Sequence, residues 1–408
     1  MGGVGFISIQ HYILVVCDSL SKLKTQTELF EMYHAPSLKE KHIHATLTQY
    51  KVDGAEPTTT TYEWGHTPVY DDLKRVVRAY RRQHGIKATD SWWALAWLAL
   101  RGFVHYTALA RWLLGSGGVG SDGVANAVVL GLALFYWGAS VQHSGTHYAL
   151  TYSSAAGEWL GWLGGWIWCL PSTWTRQHIT GHHVHTNAEG HDPDLCHFAR
   201  WCKVSPGSPD IYYGTFQRWS KWLLPAMTQF VPWLVDMPVG LLCHHSLFPG
   251  VLPRVTWAPY ERGRMLAWYA LAVTVVLRGI AVHACLAGVP FAVAGMLYYA
   301  LTQSSHINAR SFDKPQSKEW AVHQIATTRG DYGYGSLLWN TWSSGLNNQA
   351  THHLFPSVHP CHYPALSRLM RPVFVKHGLP QSGWEQSYWD ALRLHAQHLR
   401  ALNGPLRI

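Results

Sequence analysis

Trp174-Thr-Arg-Gln-His178-Ile-Thr-Gly-His182-His183-Val-His185-Thr-Asn187 is the stretch from which the rest of the chain can be read. On a helix, His178 and His182 stand one turn apart on the same face, and His183 follows roughly 100° around the axis. Three imidazoles so spaced can meet one metal centre. Asp192 and Asp194 come a few residues later, placed to accept the second ring N–H of a ligating histidine and so fix its tautomer. The pattern recurs twice: His143 and His147 form another i, i+4 pair at the polar end of an apolar run, and the adjacent pair His352-His353 has Gln349 three residues before it. Recurrence in three distant parts of the chain argues against incidental surface histidines. Imidazole suits iron, zinc, copper and nickel, so residue type alone leaves the metal open. The sequence has no CxxC pair and no His-Glu-x-x-His, which speaks against a zinc ribbon or a metalloprotease.

Composition sets the medium. Of 408 residues only 13% are charged, while 22 Trp and 20 Tyr suit broad membrane-interface belts. Net charge is +9, and the cluster Lys74, Arg75, Arg78, Arg81, Arg82, Lys87 precedes an apolar span. That position reads as positive-inside flanking and not as a nucleic-acid surface. The seven scattered cysteines are odd in number and read as free thiols, not a disulfide framework.

Taken in order, the expected divisions are an unplaced N-terminus (1–27), a distinct segment (28–54), a polar linker (55–67), a membrane domain (68–380) and a C-terminal cytoplasmic tail (381–408). Residues 68–84 carry Val69, Leu73, Val76, Val77 and Tyr80 at helical spacing opposite basic residues, which predicts an amphipathic helix lying on the membrane surface. Apolar runs at about 92–114, 124–141, 265–286 and 291–303 predict four transmembrane helices in two hairpins. Arg101 and His105 fall inside the first and should face protein. Segments 157–171 and 221–245 are too short or too broken by proline to cross, and read as interfacial or re-entrant. With basic residues before spans one and three, every histidine cluster falls on the cytoplasmic face. The fold expected is an all-α integral membrane protein with a histidine-rich cytoplasmic cap.

About eight imidazoles with few carboxylates, at the mouth of an apolar bundle, point to a two-metal centre facing a greasy substrate. Attack on an unactivated C–H bond with O₂ needs redox change, which zinc lacks, so iron is expected. The candidate ligands are His143, His147, His178, His182, His183, His306, His352 and His353, with Gln349 as a weak or water-mediated ligand. His185, Asn187, Asp192, Asp194 and His359 are expected to support them from behind.

The three boxes resemble those of the membrane-bound fatty acid desaturases, within that family the front-end acyl desaturases. They read Gln142-His-Ser-Gly-Thr-His147, then His178-Ile-Thr-Gly-His-His183 with Thr186-Asn187 and Asp192-Pro-Asp194, then Gln349-Ala-Thr-His-His-Leu-Phe-Pro356. Glutamine opening the third box is the front-end hallmark. The resemblance covers about 66–375 and implies a di-iron, O₂-dependent enzyme of the endoplasmic reticulum. Such an enzyme inserts a cis double bond between an existing one and the carboxyl end of a polyunsaturated chain, carried on a lipid or on CoA. Electrons would come from NADH through cytochrome b5 and its reductase. Residues 28–54 resemble the second half of a cytochrome b5 domain, with His34 where an axial haem ligand would sit. The half that carries the other axial histidine is missing, so haem is not expected; a relic and a misplaced start both stay open. A second departure is Ser144, where the first box of the family usually has Asp. Competing readings are a hydroxylase or a sphingolipid long-chain-base desaturase on the same site, and a catalytically inactive membrane scaffold. A transporter fits less well, because its site would lie at the midplane.

Overall fold

A computed structural model describes residues 26–37, 62–115, 121–165, 171–199, 202–208, 225–226, 238–239, 241, 259–313 and 317–403. The described residues are helical, with no strand among them. Most of the b5-like segment and of the 221–245 segment lies outside the described residues.

The first described element, α1 (Gln26–His34), is followed by α2 (Pro68–His84). Pro68 at the first turn of α2, Asp71 beside it and Arg81, Arg82 and His84 in the last turn are the residues a helix dipole favours at each end. The helix forms over the predicted residues, but its apolar face does not lie on lipid. Val69, Tyr70, Leu73 and Val77 are buried in a protein core with Trp320, Leu354, Phe355, Met370 and Phe374. Burial of each such aliphatic side chain contributes about 1.5–3 kcal/mol, so a protein partner satisfies the face that the sequence assigned to the membrane. Part of the basic face is paired too, with Lys74 on Asp71 at 2.8 Å and Arg75 on Asp72.

Two long helices follow, α3 (Trp92–Leu114) and α4 (Ser121–Trp137), which pack side by side. Ser91 caps α3 by accepting from the Ala94 N–H. Arg101 and His105 do face protein: Arg101 donates to Ser140 Oγ and to the Thr341 carbonyl, and His105 stacks on Trp137. α4 runs on without a break through a π-helical turn (Gly138–His143) into Ser144–Thr146, ending at the first histidine box. Next, α5 (Ser154–Gly165) lies across that turn so closely that glycine is required on both sides. A Cβ on Gly145 would meet Gly161 N at 2.6 Å, and one on Gly164 would meet Gln142 N at 2.2 Å.

The second box lies on α6 (Pro171–Trp174), a longer π-helical stretch (Thr175–His182) and a closing turn (His183–His185). α7 (Pro193–Ala199) packs back on it. The long apolar helix α8 (Pro259–His283) and then α9 (Val289–His306) complete the bundle, α9 packing along α4. Helices spanning Asp122–Thr146 and Pro259–Leu286 are long and apolar enough to cross a membrane. α3 and α9 exist where further spans were expected, but Arg101, His105 and several Trp in α3, and the polar Thr302–His306 end of α9, dilute their hydropathy. The later helices include α10 (Trp320–Ala326), α11 (Gln349–Leu354), α12 (Tyr363–Lys376) and α13 (Tyr388–Asn403).

Candidate metal centre

Four separate stretches of helix meet at one point. α4 and its π turn deliver His143 and His147, the π stretch after α6 delivers His178, His182 and His183, α9 ends in His306, and α11 carries His352 and His353. All eight are brought together. Ring nitrogens of His143, His147, His178 and His352 lie within 4.8 Å of one another, as do those of His182, His306 and His353. His183 stands between the two groups, its Nε2 3.1 Å from both His178 Nε2 and His352 Nε2 and its ring stacked on His353 at 4.2 Å.

The backbone of the second box corrects one expectation. His183 N–H bonds to the His178 carbonyl, an i→i+5 closure, so this turn is π-helical and not α-helical. Adding one residue to the turn brings position i+5 back towards position i, and His183 joins His178 instead of pointing about 140° away from it, as it would on an α-helix. Box one is also π-helical as it enters the site. Such bulges concentrate at functional sites because they re-aim side chains without ending the helix.

The donor atoms fit a cation. His178 Nε2 is 3.2 Å from His143 Nε2 and 3.1 Å from His183 Nε2. A ring nitrogen has one in-plane proton or one lone pair and cannot make two linear hydrogen bonds. Two nitrogens bound to one ion at roughly 2.1 Å each stand about 3 Å apart, which is the spacing seen. His147 Nε2 and His353 Nε2 are buried with no hydrogen-bond partner among the described residues, as suits atoms that would bind a metal.

Behind these atoms, partners at Nδ1 leave Nε2 for the centre. His182 Nδ1 donates to Asp192 at 3.1 Å, His306 Nδ1 to the Thr327 carbonyl at 3.2 Å, and His353 Nδ1 to Gln324 Oε1 at 2.8 Å. His352 Nδ1 meets Tyr363 Oη at 3.2 Å and His147 Nδ1 meets Tyr33 Oη at 2.9 Å. Burial holds His178, His183, His352 and His353 well below the ordinary imidazole range, which keeps them in the neutral, ligating form. His182 differs: burial pulls it down, but the carboxylates of Asp192 and Asp194 outweigh that and raise it to about 9. Asp192, wholly buried, also accepts from the Asn187 and Asp194 N–H groups. Asn187 in turn donates its side-chain N–H to the His306 carbonyl, tying the second box to α9.

Gln349 opens α11, where Asp331 accepts from the Gln349 and Ala350 N–H groups, and its side chain hydrogen-bonds His306. His185 and His359 stand outside both nitrogen groups. The His185 ring lies tilted against that of His191, and His359 accepts from the Cys361 N–H to cap a short turn. His34 donates Nδ1–H to its own helix at the Phe30 carbonyl, 2.8 Å away, and stacks on the Phe30 ring. Ser144 is buried and its Oγ has no partner among the described residues. Sequence reasoning passed over Tyr33, Gln324, Thr327, Asp331 and Tyr363. Of these only Tyr363, close behind box three, carried a local signal.

A sequence model of the family described as "Fatty acid desaturase" matches residues 123–384. The chain is 26% identical to an acyl-lipid (8-3)-desaturase of Mortierella alpina over 92% of its own length and 86% of the relative's. It is 25% identical to the Delta(5) fatty acid desaturase A of Dictyostelium discoideum, over 91% and 82% of the two lengths. A sn-1 linoleoyl-lipid 6-desaturase of Synechocystis sp. is 27% identical, over 62% of this chain and 73% of the relative. No solved structure matches.

Proposed function

The chain belongs to the fatty acid desaturase family, and from that premise we propose that it is a front-end desaturase that works through two irons held by the eight clustered histidines. The observation that carries this is the pair of buried nitrogen groups, His143, His147, His178, His352 and His182, His306, His353, joined by His183. The proposed product is a cis double bond set between an existing one and the carboxyl end of a polyunsaturated acyl chain. Gln349 beside His306, and relatives named as (8-3)-, Delta(5)- and 6-desaturases, support that regiochemistry over a hydroxylase or a long-chain-base enzyme.

Irons bound there would supply the oxygen activation and redox change that removing hydrogen from an unactivated methylene demands. The protein's share is placement. His182 keeps its proton on Nδ1 against Asp192, and His306 and His353 do the same against Thr327 and Gln324, so Nε2 faces the centre in each. The ligands are almost wholly shut off from water, which limits loss of reactive species to solvent. Two of the helices that carry them, α4 and α9, are packed together along apolar surface, and an acyl chain following that surface would bring a methylene to the centre.

The proposed topology has four spans, α3, α4, α8 and α9, with the metal cap on the cytoplasmic side. Arg101 and His105 turned inward on α3 support it, as do the basic residues ahead of α3 and α8. Residues 68–380 make up the desaturase domain in this reading, acting in the endoplasmic reticulum membrane on an acyl lipid or acyl-CoA. Electrons would come from NADH through cytochrome b5 and its reductase. The test is fatty-acid profiling of yeast that expresses the chain and is fed single polyunsaturated acids, with a His182→Ala control. A new, more unsaturated product that is lost in the control is expected; no product, even after a complete b5 domain is grafted on, would refute the proposal.

A further inference from the structure

We infer that the N-terminal helix α1 is a cap on the metal centre and that Tyr33 is a positioning residue for His147. This rests on the iron-dependent reading above. α1 is fixed to α2 by several independent bonds. Arg78 Nε donates to the Ala35 carbonyl at 2.8 Å, Arg81 to the Pro36 carbonyl at 2.7 Å, and Tyr70 Oη to the Glu31 carbonyl at 3.3 Å. Met32 and Ala35 are buried in the core shared by α2, α11 and α12. So anchored, α1 holds Tyr33 against box one, with its Oη 2.9 Å from His147 Nδ1 and its ring against that of Tyr148.

The chemistry of that contact is restrictive. If Tyr33 donated to Nδ1, the neutral imidazole would carry its proton on Nε2, the nitrogen left for the group His147 forms with His143, His178 and His352. Ligation therefore requires the other setting, with Nδ1–H donating to Tyr33 Oη and the Nε2 lone pair free. His147 Nε2 is buried without a hydrogen-bond partner among the described residues, as that setting needs. His182, His306, His352 and His353 each have their own Nδ1 partner within a few elements of the site. Box one is different. The residue after His143 is Ser144, whose Oγ is buried and bonds to nothing among the described residues. Its support comes instead from a helix 114 positions earlier in the chain. A segment with the look of a haem-binding half-domain is used here to orient an iron ligand. His34, the would-be haem ligand, is turned into its own helix.

The test is Tyr33→Phe in the full, detergent-solubilised chain, which removes one hydroxyl and keeps the ring. Iron affinity is read by chelator competition, and unfolding of the chelated, metal-free chain is followed in parallel. One of the two irons should bind about 10- to 100-fold more weakly, while the metal-free chain melts at the wild-type temperature. Two irons held as tightly as in wild type would overturn the inference. So would a metal-free chain destabilised as much as the loaded one, since Tyr33 would then merely pack. A wild-type chain that takes up no iron would remove the di-iron reading itself, and with it this inference.

Discussion

Replacing Asp192 by Asn changes one oxygen into NH₂ in a side chain whose two oxygens both already accept hydrogen bonds. Asp192 Oδ1 accepts from the Asp194 N–H at 2.9 Å, and Oδ2 accepts from the Asn187 N–H at 2.8 Å and from His182 Nδ1 at 3.1 Å. An amide has the same outline but only one acceptor atom, so in either orientation a buried backbone N–H faces NH₂. Losing one charge-assisted bond at a fully buried position costs about 1.5–3 kcal/mol. If the NH₂ takes the Oδ2 position, it donates to His182 Nδ1 and drives that ring's proton to Nε2, where a metal must bind. The weakening expected from losing such a support is roughly 10- to 100-fold in iron affinity, or about 1.4–2.8 kcal/mol. Chelator competition on the purified chain measures the affinity, and the apparent melting temperature with and without chelator separates the two effects. Wild-type iron affinity together with an unchanged melting temperature would show that Asp192 does not set the His182 tautomer, and the reasoning would fail.

His183→Ala removes the ring between the two nitrogen groups, so both irons should be weakened together; elemental analysis showing one iron fully retained would contradict the shared position. Gly145→Ala places a Cβ 2.6 Å from Gly161 N, where only backbone movement relieves it, and should cost about 1–3 kcal/mol; an unchanged melting temperature would count against the close approach of α5. Asp331 starts α11, and burial raises its carboxyl to about 7 although the Ala350 and Gln349 N–H groups and Tyr334 pull it down. Its folded value is above the unfolded one of ~3.9. Its contribution to stability is therefore complete below about pH 4 and is lost as pH rises to about 7, by at most roughly 1.4 kcal/mol per unit. Asp331→Asn and Asp331→Ala should both flatten that slope, and near pH 4 Asp331→Ala should also lower stability by the ~1–2 kcal/mol of a lost cap; denaturation followed from pH 4 to 8 decides both.

The centre was legible because its chemistry demands particular residue types, and histidines at i, i+4 and i+5 stand out in any context. Its geometry was legible only in part. Spacing read on an α-helix separates His183 from His178, whereas the π turn joins them; a five-residue stretch carries too little hydropathic period to tell the two apart. The bounds of α2 were readable from its apolar stripe, but a stripe shows only that something covers it. Lipid was the covering expected, and Trp320, Met370 and Phe374 are the covering found. Tyr33 had no signal at all, since what it does depends on a histidine 114 positions away.

The support residues explain how five of the eight clustered imidazoles, those of His147, His182, His306, His352 and His353, are kept in one state. Each neutral ring has two tautomers, and only the one protonated on Nδ1 leaves the Nε2 lone pair free. Asp192, Gln324, Thr327, Tyr363 and Tyr33 differ in chemistry, yet each takes the Nδ1 position and leaves the same atom facing inward. They come from α1, the turn before α7, α10 and the turn after it, and α12, whereas the ligands come from α4, α6, α9 and α11 and the turns that continue them. A cation bound to the Nε2 lone pairs would tie α4 and α9 to α1, α10 and α12 through these pairs, so that its binding and the packing of those helices would be linked. In such a design a support far from box one in sequence matters as much as one beside it, because both act on the same ring.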